Sequence, residues 1–311
     1  MGGGRFDTGE PPRWFPCAGL AGMILRRVGT QRDILGESPV WDAEEQALFW
    51  VDIRRPALRR LDEASGTVET RAMPDLVGSV ALAGRGRLLV AFGGEVALFD
   101  WASARFETVA TLPDRPPGHR FNDGRCDRQG RFWVGTMHNH TRAPDGTLFR
   151  LNGASLLPIW NGISIPNSLA WSPDGRTMYF ADSLRHAIAA HAYDPATGLP
   201  GAGRDIVQTA EPGFPDGSTT DAEGFLWNAE FNAARLVRHA PDGRVDRMVP
   251  TPVDRPTSCA FGGRNLETLF VTTTSQAMSE ADLRNNPLAG ALLALEPGVP
   301  GLPEPVWRPS A

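Results

Sequence analysis

Arg120-Phe121-Asn122-Asp123-Gly124-Arg125-Cys126-Asp127-Arg128-Gln129-Gly130-Arg131-Phe132-Trp133-Val134-Gly135-Thr136-Met137 carries the pattern that decides the fold. An arginine, an amide and a carboxylate (Arg120, Asn122, Asp123) stand just before a polar turn, Cys126 to Gly130, and the apolar run Phe132-Trp133-Val134 follows it. A turn flanked in this way closes a hairpin with polar groups at one mouth and buried strand beyond. The same order recurs along the chain.

Turn markers fall at Asp42-Ala43, Gly84-Arg85-Gly86, Asp127-Arg128-Gln129-Gly130, Asp174-Gly175, Asp221-Ala222-Glu223-Gly224 and Gly262-Gly263. Their spacing is roughly 42 to 47 residues, a period in the propeller range. Each marker precedes a short apolar strand: Leu48–Val51, Leu88–Ala91, Phe132–Val134, Met178–Ala181, Leu226-Trp227 and Leu269–Val271. Most repeats continue into a third strand, as at Leu58–Leu61, Leu148–Leu151 and Leu236–His239, and then a second turn. Four strands repeated six times predict an all-β fold, a six-bladed β-propeller with four-stranded blades. A β-sandwich with accidental spacing is the alternative, and six markers at a near-constant interval argue against it. Neither a Gly-His…Trp-Asp signature nor a kelch diglycine pattern is present, and the only helical periodicity is a turn or two around Glu280 to Arg284. The reading assigns residues 1–22 to an N-terminal extension and 23–311 to one propeller domain. Its blades close near residue 300, leaving a proline-rich tail as packing or strap.

With 41% hydrophobic and 22% charged residues, the 311-residue chain can bury a large core. A net charge of −5 gives no electrostatic case for nucleic acid or an anionic membrane, so the expected partner is a small molecule, with no obligate protein partner evident. Cys17, Cys126 and Cys259 form no C-x-x-C pair, which argues against a disulfide framework or zinc knuckle and fits a reduced cytoplasm. No signal-peptide h-region or long apolar run occurs, and Phe6 stands where an N-myristoylation signal wants Ser or Thr.

The first strand of each propeller blade lines the central channel, so equivalent positions at its entrance converge on the axis. Counting back about five to seven residues from each marker gives Glu37, Ser79, Asn122, Asn167, Asp216 and Thr257. Generic strand sequence would place apolar or small residues there. Oxygen donors without thiolate or imidazole suit one hard divalent cation: Ca²⁺, Mg²⁺ or Mn²⁺, with Zn²⁺ tolerated and Fe²⁺ also to be tried. Two facing carboxylates repel unless a cation or a proton intervenes. Any one Asp or Asn is adequately explained as a turn residue, as Asp174 and Asp221 are. What argues for function is the repeat position shared by Glu37, Asn167 and Asp216. Arg120, two residues before Asn122, faces the same mouth. His138 and His140 have a spacing that could serve a metal, against the reading of a solvated loop pair, and His119 beside Arg120 is a further pocket candidate. His186, His191 and His239 read as structural. No G-x-S-x-G elbow, P-loop or dinucleotide fingerprint occurs.

At these residues the chain resembles the senescence marker protein/gluconolactonase family, also called regucalcin-like. The matching segments are Leu35–Trp41, Arg120–Gly124, Ile165–Ser172, Pro215–Gly217 and Pro256–Gly263, spread over the whole propeller. The resemblance implies one divalent cation held by Glu37, Asn167 and Asp216, with Arg120 and Asn122 contacting the substrate. It also implies hydrolysis of sugar-acid lactones such as glucono-, xylono- or arabinonolactone, and Asp216-Gly217-Ser218 with Trp227-Asn228-Ala229 points to the bacterial branch. Three departures stand out. Ser168 replaces a common Gly, which crowds the backbone if φ is positive there. Ala233-Ala234 replaces Gly-Gly, and the segment after Met137 lacks acidic residues that relatives place above the substrate.

The chemistry is coherent without the resemblance. A cation at the channel mouth would polarise a lactone carbonyl, stabilise the developing oxyanion and lower the pKa of a bound water. Asp216 is the candidate general base, and Arg120 and Asn122 would hold sugar hydroxyls or the ring oxygen. Arg120 also suits an anionic substrate, including a phosphorylated or sulfonated lactone. The rival readings are a non-catalytic metal- or sugar-binding propeller and a different metal-dependent esterase or phosphotriesterase on the same site.

Overall fold

The computed structural model describes residues 25–309, so the extension assigned to residues 1–22 lies outside the described residues. The strands form six four-stranded antiparallel sheets. Blades 1 to 5 follow the chain, with inner strands Gly36–Asp42, Val77–Gly84, His119–Cys126, Pro166–Trp171 and Phe214–Thr220. Blade 6 takes three strands from the end of the chain, Pro256–Gly262, Thr268–Thr273 and Leu292–Leu295, and its outer strand, Arg26–Val28, from the beginning. Arg26 pairs with Ala294 and Val28 with Leu292, which closes the ring non-covalently. The short helix expected near Glu280 is Glu280–Asn285, capped by reciprocal Ser279 and Asp282 hydrogen bonds.

The second strands are apolar along their whole length because a blade has two buried faces. In Ala47–Asp52, Phe49 and Val51 pack with Val80, Leu88 and Val90 of blade 2, whereas Leu48 and Trp50 pack with Phe270 and Leu292 of blade 6. Alternate residues therefore serve opposite neighbours. Each such side chain contributes roughly 1.5–3 kcal/mol relative to exposure, so packing between blades dominates their stability.

Inner strands begin at one face of the ring and run to the marker turns at the other. The proline-rich tail crosses that second face. Ala222 N donates to Pro300 O (2.9 Å), Trp307 N to Leu82 O (2.7 Å) and Arg308 N to Gly130 O (2.9 Å). Under the tail, Arg125 reaches across the axis, donating to Ser218 O at 2.9 Å and pairing with Glu304 at 3.7 Å. The tail is thus a strap over the face opposite the polar mouth. No helix among the described residues is long and apolar enough to cross a membrane. Cys126 and Cys259 are buried free thiols.

Candidate active site

Four inner strands carry the same irregularity near their starts. In blade 1 the register passes from Glu37↔Val51 to Val40↔Phe49, so two inner residues oppose one. Blades 3, 4 and 5 repeat this between Phe121 and Gly124, Asn167 and Ala170, and Pro215 and Ser218. Such bulges re-aim the neighbouring side chains, and they bring Glu37, Asn122, Asn167 and Asp216 into one cavity of about 280 Å³ with Arg120 on its wall. Blades 2 and 6 also carry one extra inner residue here, but between adjacent partner positions, from Val77 to Ser79 and from Pro256 to Ser258. Ser79 and Thr257, counted into the ring from the sequence, stand outside the lining. Thr257 Oγ1 bonds Gly36 O and Thr272 Oγ1, and Ser79 is fully buried.

A hydrogen-bond chain fixes the amides across three blades. Arg120 Nη1 donates to Asn122 Oδ1 (2.6 Å), and Asn122 Nδ2 donates to Asn167 Oδ1 (3.0 Å) and Pro166 O (2.9 Å). Asn167 Nδ2 donates to Ser183 Oγ (2.8 Å), which donates to Pro215 O (2.7 Å). Arg120, Asn122, Asn167, Ser183 and Asp216 are all buried. Ser183, which orients Asn167, lies after the second strand of blade 4, outside the repeat phase, and nothing in the sequence singled it out. Asp123, the second bulge residue of blade 3, accepts Leu169 N at 2.9 Å.

Burial, and secondarily Asp123, pushes the Glu37 carboxyl up to about 8. Burial followed by repulsion from Glu37 and Asp123 holds Asp216 well above the usual carboxylate range. Burial and the nearby Arg54 lower the Arg120 guanidinium to about 10. Arg120 forms no ion pair with either carboxylate; its donors go to Asn139, Phe121 O and Asn122. Two crowded carboxylates and a fixed carboxamide oxygen are a donor set that fits a hard divalent cation, which would relieve the repulsion.

The histidines separate cleanly. His140 lines the cavity, whereas His138 Nδ1 accepts the backbone N–H groups of His140 (3.1 Å) and Thr141 (3.0 Å) and so organises the loop. His119 is outside the lining, with Nε2 3.1 Å from Asp145. His186 bonds Gly213 O, and burial holds His239 down at about 4.

Ser168 has φ +59°, the conformation that favours glycine. Its hydroxyl accounts for its tolerance: Oγ donates to Asp216 O (2.6 Å) and accepts from Ser218 Oγ (3.1 Å), while Asn228 Nδ2 also donates to Asp216 O (3.0 Å). A left-handed L-residue costs about 1–2 kcal/mol, similar to what a buried hydrogen bond returns. Ser168→Ala keeps the backbone cost and loses the bonds, so it is expected to lower stability by about 1–2 kcal/mol in urea titrations. Ser168→Gly loses both and is expected to lie closer to the parent.

These features define a six-bladed β-propeller with an oxygen-donor well at one mouth and a strap across the other. The chain belongs to the SMP-30/gluconolactonase/LRE-like family, whose model matches residues 35–275. It is 35% identical over 286 residues to a 6-deoxy-6-sulfogluconolactonase of Pseudomonas putida, covering 91% of this chain and 98% of that one. It is 36% identical over 293 residues to regucalcin of Gallus gallus, covering 91% and 98%. The crystal structure of regucalcin from Agrobacterium tumefaciens, described as a calcium-binding protein, superposes with a TM-score of 0.89 at 30% identity, covering 92% of this chain and 98% of that one.

Proposed function

We propose that this propeller opens sugar-acid lactones in a reaction that depends on a divalent cation. Lactone hydrolysis is the chemistry of its gluconolactonase-type family. The observation that carries the cation dependence is the pair Glu37 and Asp216, lining one cavity with no cationic side chain among the described residues bonded to either, and both held above the ordinary carboxylate range. Glu37, Asn167 and Asp216 would hold the cation, which would supply polarisation of the ring carbonyl and a lowered pKa for bound water.

The protein's own groups divide the remaining work. Asp216, a carboxylate beside the attacking water, takes its proton. Arg120 and Asn122 orient the sugar ring, and their mutual hydrogen bond pre-sets both before substrate arrives. Ser183 keeps the Asn167 oxygen in place by occupying its amide nitrogen. The test is hydrolysis of an aldonolactone panel by metal-stripped protein, with Ca²⁺, Mg²⁺, Mn²⁺, Zn²⁺ or Fe²⁺ returned singly. Stripped protein is expected to be inert and one ion to restore turnover. Full activity after exhaustive chelation would remove the cation from the mechanism.

A further inference from the structure

The cavity is polarised in charge. Its lining holds two carboxylates, Glu37 and Asp216, and three guanidinium groups, those of Arg54, Arg120 and Arg142. Asn139 Oδ1 accepts from both Arg54 Nη1 (2.7 Å) and Arg120 Nε (3.1 Å), so two like charges share one neutral oxygen. Arg54 Nε is held by the amide oxygen of Gln276 at 2.7 Å, and its backbone N–H bonds Asp52 Oδ1 at 3.2 Å, which anchors the turn that carries it. Among the described residues neither Arg54 nor Arg142 forms an ion pair; burial disfavours the cationic form of Arg54, and burial with the neighbouring Arg54 charge that of Arg120. Arg142 is exposed on the loop that His138 organises.

Charge counting then points to the substrate. A divalent cation on the floor would neutralise Glu37 and Asp216, leaving three guanidinium groups with no counter-charge in the well. A neutral lactone would leave them so. An oxyanion on the substrate offers charge-assisted, bidentate bonds to a planar guanidinium already aimed by two amides.

Resting on the lactonase reading above, we infer that the preferred lactone carries an anionic group (sulfonate, phosphate or carboxylate) on the end remote from its ring carbonyl, and that Arg54 and Arg142 receive it. Hydrolysis adds water across the ring acyl C–O bond and leaves that group untouched, so it acts as a handle. Arg54 and Arg142 are thus specificity residues, distinct from the groups that meet the carbonyl.

The experiment compares kcat/KM for glucono-1,5-lactone with the same ring bearing a 6-phosphate, a 6-sulfonate or a 6-carboxylate. The charged rings are expected to be favoured by about tenfold to a hundredfold, the range of one to two charge-assisted hydrogen bonds. Added salt should erode the preference, and the ranking among the three names the natural handle. Arg54→Gln, which keeps an amide donor and removes the charge, and Arg142→Gln should each cut the charged-to-neutral ratio, while Arg54→Lys should partly restore it. Calorimetric binding of 6-phosphogluconate against gluconate to the cation-loaded protein gives a readout that does not require turnover. Equal kcat/KM for charged and neutral rings, or an unchanged ratio in both Gln variants, overturns the inference while leaving the lactonase standing. Absence of turnover on every lactone with retained discrimination between the two acids overturns the lactonase reading and keeps the anion subsite; absence of both overturns both.

Discussion

Asp216→Ala is expected to lose lactone hydrolysis by a factor on the order of a thousand or more: in the proposed mechanism it removes a general base, which alone costs 10²–10⁴-fold, and a cation ligand with it. Metal analysis of the purified variant should show the ion lost in parallel. Asp174→Ala, a turn carboxylate bonded to Ser172 and Arg176 N, is the matched control and should keep near-parental turnover. Retained metal with normal turnover in Asp216→Ala would exclude both roles. The variant carries a second signature. Without metal it lacks one of two mutually repelling buried carboxylates, so it should be more stable than the parent when both are stripped, and less stable when both are supplied with cation.

The second large effect is a pH dependence of stability with an unusual sign. The folded protein holds Glu37 protonated up to about 8 and Asp216 also above the ordinary range, whereas the unfolded chain releases these protons near 4 to 4.5. Between those values the native state binds more protons than the unfolded state, so stability falls as pH rises through the window. Half-buried His191 and buried His239 act in the opposite direction, but only below their ordinary value of 6.5. The range from about pH 7 to 8 therefore isolates the well, below the pH at which the thiols of the unfolded chain release their protons. Metal-free protein should lose several degrees of melting temperature across it. Cation binds the deprotonated carboxylates, so at saturation the loss should vanish or reverse, with about 2.7 kcal/mol gained at one hundred times Kd. A flat metal-free profile would mean that these carboxylates titrate normally.

Much of this molecule was legible in its sequence, and the reasons differ by part. Blade number followed from markers such as Asp127 and Asp221, whose carboxylates bond their own turn backbones and so must recur wherever that turn recurs. Glu37, Asn122, Asn167 and Asp216 were found by counting because in all four strands they stand in the bulge or immediately before it. The same count placed Ser79 and Thr257 in the ring, since spacing to a marker does not reveal whether the extra residue sits in a two-against-one bulge or between adjacent partner positions. Arg54, Asn139 and Ser183 escaped notice because they lie between strands, where repeat phase gives no guidance. The outer strand Arg26–Val28 escaped for another reason: it is three residues long and largely exposed, with no buried alternation to mark it.

That strand has a consequence for how the molecule comes into being. It leaves the ribosome before blade 1, and its partner Leu292–Leu295 only after blade 5, so blades 1 to 5 must stack as an open arc while the final pairing waits. During that interval the apolar flanks of the terminal blades, including Trp50 on one side and Trp227 on the other, have no neighbour to cover them. A prematurely terminated chain would therefore be both inactive and adhesive, a substrate for chaperones and proteases. The well draws on blades 1, 3, 4 and 5, which surround it only once the arc has closed, so competence arrives in a single event when blade 6 is completed.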